Sequence, residues 1–288
     1  MTSNDVLEMY FSPVIPSPDD PRDHRVGARI DIPEEFPEEF AVWQPPVEDQ
    51  GQVGNCVAQS IANIYETWDN REGAPHRDFS VGYIYGTSDS YGMVPREACA
   101  AAIKEGDVLR ETWECLAENP ECYEERQTVP EAIKRTARKF DEYVRIYSLA
   151  ELKSFLVQYR VPVLIIAKGA DYAWYASGGY HATACYGWDK NNMLLYTNSW
   201  GTGGAFGDGK GKMEFSKLTE AWGLIPMTKK RFTDIEGRWS EKDILALADK
   251  GIVNGYPNGT ILPLKNITRE EVFVTINRAV EYLEATKK

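Results

Sequence analysis

Residues 47–60, VEDQGQVGNCVAQS, constrain the fold more than any other stretch of the chain. A polar loop broken by Gly51 and Gly54 runs straight into an apolar-periodic segment. Val57, Ile61, Ile64 and Trp68 recur at helical spacing and predict an amphipathic helix from Cys56 to about Asn70, stopped by Gly73 and Pro75. Cys56 then stands at a helix N-terminus, where unpaired N–H groups and the helix dipole favour a thiolate. Gln50 offers a side-chain amide donor from the same loop. A thiol beside an amide donor supplies two parts that acyl transfer needs, a nucleophile and half of an oxyanion hole.

Taken alone, Cys56 reads more readily as a buried structural thiol. The rest of the chain shifts the balance. The sequence has 3 histidines, His24, His76 and His181. His76 sits in a polar loop and reads as a surface residue. His181 lies in GGYHATACYGWD, behind Gly178 and Gly179, and the run from His181 to Trp188 reads as a buried strand. Asn198 follows in LLYTNSWGTGG, at the end of the next strand-like run. An Asn carbonyl can hold an imidazole in the tautomer that faces a thiol, as the third member of a triad does. Trp200 is placed to shield that hydrogen bond from water.

DQGQVGNC, GYHATACYGWD and TNSWGTGGAFGDGKGKM, in this order, resemble the papain-like cysteine peptidases over about residues 25–226. The resemblance implies Cys56 as nucleophile, His181 as general base and acid, and Asn198 as its orienter. Gln50 and the Cys56 backbone N–H would form the oxyanion hole. Gly179, Tyr180, Trp200 and Tyr91 would lie along the substrate cleft. The implied fold is α+β, a helical lobe with Cys56 and an antiparallel sheet lobe with His181 and Asn198. No cofactor and no metal are expected.

At 43% hydrophobic and 26% charged residues, the composition is that of an ordinary globular protein. A net charge of −12 argues against nonspecific binding to nucleic acid or anionic surfaces. No apolar run is long enough for a membrane span, and the N-terminus has no secretory-signal pattern, so export would need another route. Of the 5 cysteines, Cys115 and Cys122 frame a loop that suits a short disulfide, with a reduced state slightly ahead; Cys99 is read as reduced, and Cys185 as a buried free thiol.

Residues 1–30 are polar and proline-rich and read as an extended arm. Tyr83, Tyr85 and Tyr91 are placed near the cleft by the resemblance, with plain core packing the commoner fate of such aromatics. A short helix is expected over Pro95–Glu105. Thr128 reads as an N-cap, with Pro130 in the first turn of a helix to about Phe140. Ser148 and Glu151 form a capping box that opens a helix to about Tyr159. Strands are expected at Val161–Gly169, His181–Trp188, Met193–Asn198 and Lys210–Phe215. The glycine run 201–211 lacks the lysine and serine or threonine of a phosphate loop and reads as a hairpin.

Residues 232–283 change character, with two amphipathic helices around the turn-rich NGYPNGT. Trp239, Ile244, Leu247 and Ala248 give the first an apolar face; Val272, Ile276, Ala279 and Val280 give the second. Thr268 and Glu271 form another capping box. FTDI, GIVNGYPNGT and ITREE, in order, resemble one S-layer homology module. The resemblance implies binding to an anionic cell-wall polysaccharide, with Arg269 at the acidic group and Gly255 and Tyr256 beside it. Lys229–Phe232 reads as a linker, giving an arm over 1–30, a peptidase domain over 31–228 and a module over 232–284.

The sequence therefore predicts a cysteine endopeptidase that acts on peptide or protein substrates, at a bacterial cell surface or secreted by a non-classical route, with a phage-encoded or cytoplasmic protein as the alternative. Internal cleavage is favoured because no histidine-bearing insertion blocks one end of the cleft. Two other readings stand beside it: a lysin that cuts the peptide stems of peptidoglycan, and a non-catalytic wall-binding protein of papain shape. Oligomer formation is left open, because the family usually combines three such modules.

Overall fold

In the computed structural model, the described residues are 14–18, 20, 23, 32–51, 53–86, 92–113, 129–171, 179–203, 207–227, 232–250, 252–256 and 259–285. Tyr91, Cys115, Cys122, Thr128 and most of the 1–30 arm lie outside them. The chain divides into two compact units, 1–126 with 139–226, and 127–138 with 227–288. Residues 127–138 therefore join the C-terminal unit, which their place in the sequence did not foretell.

The first unit runs β1 (Phe40–Ala41), α1 (Cys56–Arg71), α2 (Val81–Tyr85), α3 (Pro95–Lys104), β2 (Phe140–Arg145), α4 (Leu149–Tyr159), β3 (Val163–Lys168), β4 (Tyr180–Trp188), β5 (Leu194–Thr197), β6 (Lys210–Met213) and β7 (Leu218–Pro226). The strands form one antiparallel sheet, ordered β2-β7-β3-β4-β5-β6, with β1 added against β4. Helices segregated against an antiparallel sheet make this an α+β fold.

α1 is buried along nearly its whole length, from Cys56 to Asp69, and packs against α2 and β4. Ile61, Ile64, Tyr65 and Trp68 fill the core beneath it, where Tyr65 stacks on Phe79 at 5.2 Å and meets Phe140 at 4.5 Å. Tyr83 and Tyr85 are core residues, 2% and 4% exposed. β3 is buried on both faces from Val163 to Ala167, which explains its unbroken apolar run. The capping box of α4 forms with both bonds, Glu151 N–H to Ser148 Oγ and Ser148 N–H to Glu151 Oε2. Cys99 and Cys185 are buried free thiols.

Two expectations fail here. The helix from Pro130 to Phe140 is a single turn, Glu131–Lys134. Phe140 instead opens β2, which pairs Tyr143 with Leu224 and Arg145 with Trp222 of β7. Neither β2 nor β7 was expected. Their pairing is joined by a buried ion pair, Arg145 to Glu220 at 2.8 Å, and Trp222 Nε1–H donates to the same carboxylate at 2.8 Å.

The second unit holds the turn Glu131–Lys134, α5 (Glu241–Asp249) and α6 (Arg269–Ala285). Phe232, Ile235 and Ala248 make its small buried core, with Ile244, Leu245, Val253 and Ile261 packed on it. Asp234 caps the turn after α5, accepting N–H bonds from Ile261 and Leu262 at 3.0 and 2.7 Å. The expected apolar faces are only partly used. Trp239 lies before α5 and is 91% exposed, and Ile276 and Val280 are 57% and 46% exposed. A core this small cannot cover two full helix faces.

Candidate active site

The loop before α1 is zipped to the loop after β5. Gln50 N–H donates to Ser199 O at 2.8 Å, Gly201 N–H donates to Glu48 O at 2.9 Å, and Asp49 pairs with Trp200. Gly201 is needed at this seam: it has φ of +69°, and a Cβ there would stand 2.9 Å from the Asp49 carboxylate. The seam fixes Gln50 and Asn198 on neighbouring backbones. β4 pairs with β5 through Ala184 and Thr197, which brings His181 and Asn198 to the same end of the sheet.

His181 Nε2 lies 2.8 Å from Asn198 Oδ1. Ser199 N–H also donates to that oxygen at 2.8 Å, which fixes the amide orientation. An amide oxygen only accepts, so Nε2 carries the proton and, in the neutral ring, Nδ1 carries the lone pair. Trp200 stacks on the imidazole at 4.3 Å and 27°, and is itself 7% exposed.

Cys56 opens α1, with Asn55 as N-cap and no side-chain capping bond. Its thiol has backbone hydrogen bonds with Ala182, Val57 and Cys56 itself, so it adjoins the residue that follows His181. Both side chains are fully buried. Burial pushes the Cys56 thiol up to about 12, against the lowering by those backbone bonds. Burial also pulls His181 down to about 4, against the raising by its Asn198 bond. Burial thus favours the neutral form of both groups.

Gln50 is 1% exposed, and its side chain is held at both ends. Nε2 donates to Val53 O at 2.9 Å and Oε1 accepts from Ser199 Oγ at 2.6 Å. A primary amide has a second N–H, so one donor remains for another acceptor. Gly179 and Tyr180 are half-buried at the start of β4, and Gly179 O accepts from Gly169 N–H at 2.6 Å. Behind Asn198, a cavity of about 20 Å³ is lined by Gln59, Asn63, Glu66 and Ser199, a size and polarity that suit one buried water. Gln59 and Asn63 were not singled out by the sequence, though they share one face of α1 with Glu66.

In the second unit, Gly255 and Tyr256 line a cavity of about 580 Å³, together with Lys265, Glu270, Glu271 and Arg278. Tyr256 O–H donates to Glu271 Oε1 at 2.7 Å, and the Lys265 ammonium lies 5.3 Å from its ring. The Thr268 N–H and hydroxyl and the Tyr256 hydroxyl hold Glu271 down to about 2. Both capping-box bonds of Thr268 and Glu271 are formed. Arg269, the first residue of α6, is exposed and does not line that cavity.

Solved structures with the same architecture are cysteine proteases. Xylellain, a cysteine protease from Xylella fastidiosa, superposes with a TM-score of 0.60 at 18% identity, over 76% of this chain and 97% of that one. The first unit has the papain-like fold. The cysteine protease and lectin-like domains of a surface layer associated protein of Clostridium difficile match with a TM-score of 0.55 at 16% identity, over 75% of this chain and 56% of that one. Residues 231–273 match the model of the S-layer homology domain. The cellulosome-anchoring protein of Acetivibrio thermocellus is 43% identical over 68 residues, and cell surface glycoprotein 1 of that organism 38% identical over 72. Those matches span 23% and 25% of this chain, but only 15% and 3% of the two relatives. Among the described residues, no helix is long and apolar enough to cross a membrane.

Proposed function

We propose that the chain is a cysteine endopeptidase of the papain type, held at a bacterial cell surface by its S-layer homology module. The observation that carries this reading is the buried His181–Asn198 hydrogen bond, set beside the Cys56 helix start in a papain-like fold. The peptidase part would occupy residues 31–228 and the module residues 232–284.

In this mechanism the Nδ1 lone pair of His181 takes the Cys56 proton as the thiolate attacks a peptide carbonyl. Asn198 and Trp200 hold the ring in the tautomer that puts the lone pair on Nδ1 for that transfer. Gln50 Nε2–H and the Cys56 backbone N–H stabilise the oxyanion. His181 then protonates the leaving amine, and water deacylates the thioester. Gly179, Tyr180 and Trp200 would line the substrate cleft, with Tyr91, outside the described residues, assigned to it by the sequence alone. In the module, Arg269 would meet an acidic group of a wall polysaccharide, with Gly255 and Tyr256 forming the adjacent wall of the site.

The test is steady-state cleavage of an internally quenched peptide library. Turnover that disappears in Cys56→Ala and in His181→Ala supports the reading. Undiminished turnover in both would sink it. A second reading is a lysin acting on peptidoglycan stems, favoured by the wall-type module. Release of free amines from purified walls, without cleavage of casein, would select it.

A further inference from the structure

We propose that Glu66, His76 and Asp78 form a binding site for a zinc-class divalent cation that fastens α1 to the loop after it. The three residues bring one imidazole nitrogen and two carboxylate oxygens within 4.8 Å of one another. His76 Nε2 is 3.5 Å from Glu66 Oε2 and 3.3 Å from Asp78 Oδ1. Charge-assisted N–H···O bonds are shorter, about 2.7–2.9 Å. Ligand bonds of about 2.0–2.1 Å at tetrahedral angles put neighbouring donor atoms about 3.3 Å apart. The two His76 separations match such an edge, and the Glu66 and Asp78 oxygens lie within 4.8 Å of each other.

The surroundings have the form of an outer shell. Glu66 is 2% exposed, and its other oxygen accepts the Phe79 N–H at 3.1 Å, leaving Oε2 toward His76. The other oxygen of Asp78 lies 3.6 Å from Arg110, which is held in turn by Glu48 at 2.9 Å. The His76 ring lies 5.8 Å from that of Trp43. Groups that orient ligands in this way are the usual companions of a metal site. The side chains of His76 and Asp78 are 30% and 40% exposed, so solvent can reach a fourth position.

Charge favours the same occupant. Glu48, Glu66 and Asp78 face the single guanidinium of Arg110, so with His76 neutral the cluster carries a surplus of two negative charges. One imidazole with two carboxylates suits zinc or a similar transition metal; calcium prefers an all-oxygen set.

The test is a zinc titration by calorimetry on the metal-free full chain carrying Cys56→Ala, which removes the candidate nucleophile as a competing ligand. One equivalent should bind, with affinity falling at least tenfold when His76→Gln is added. Zinc should also raise the unfolding midpoint of the first protein and not of the second. Calcium should bind at least a hundredfold more weakly. If His76→Gln unfolds the chain, Asp78→Asn, half-exposed, takes its place. The proposal is overturned if the folded Cys56→Ala chain binds no zinc, which would make the cluster an ion-pair hub. Equal stoichiometry and affinity in the His76 variant, or calcium binding as tight as zinc, would overturn it too.

Discussion

His181 Nε2 and Asn198 Oδ1 are 2.8 Å apart in a fully buried setting, and the Ser199 N–H fixes which amide atom faces the ring. If Asn198 holds the tautomer, Asn198→Ala should lower kcat by about 100-fold, within the range for a general acid–base partner, with KM little changed. Steady-state kinetics on a cleaved peptide measure this. An unchanged kcat would remove Asn198 from the proposed triad.

The depressed His181 makes stability depend on pH. Its pKa falls from the ordinary 6.5 to about 4 on folding, so the unfolded chain binds the extra proton between those values. Its contribution is intact above 6.5 and is lost as pH falls toward 4, by about 3 kcal/mol in all. Urea unfolding at a series of pH values should show that slope, and His181→Gln should flatten it. Identical slopes would place the acid sensitivity elsewhere.

Gly223 in β7 lies under Phe155 of α4, and a Cβ there would overlap the phenyl ring. Gly223→Ala should cost about 1–3 kcal/mol through overpacking. Chemical denaturation checks this. A neutral result would mean that α4 can shift outward on the sheet.

In the C-terminal unit, Asp234 accepts two backbone N–H bonds, from Ile261 and Leu262, and these lower its carboxyl pKa against its desolvation. Asp234→Ala should lower the melting temperature of the module and weaken pull-down by purified wall polysaccharide. Peptide cleavage by the first unit should remain. Loss of both activities together would show that the units do not work independently.

Much of the fold was legible where side chains carry local chemistry. Ser148 with Glu151 and Thr268 with Glu271 read as capping boxes, and both form. The apolar run of β3 read as a buried strand because both of its faces are covered. The 140–145 segment did not read as a strand. Its buried positions, Phe140 and Val144, are four apart and fit a helix as well; pairing with β7 decides, and pairing is non-local. Trp239 read as part of an apolar helix face, yet it lies before α5 and is exposed. At the candidate site, Cys56, His181 and Asn198 could be picked out by residue type and order. The depth of burial could not, and it pushes the Cys56 thiol up. Nor could the sequence show that Val53 and Ser199 hold the Gln50 amide, since that depends on how two loops meet.

The most direct test of a Cys56 nucleophile is intact mass after treatment with an epoxide peptide inhibitor of papain-like enzymes, on the folded chain and on Cys56→Ala. A Cys56 nucleophile predicts one adduct on the chain and none on the variant. An equal adduct on both, or none on the folded chain under conditions where it cleaves peptide, would contradict it.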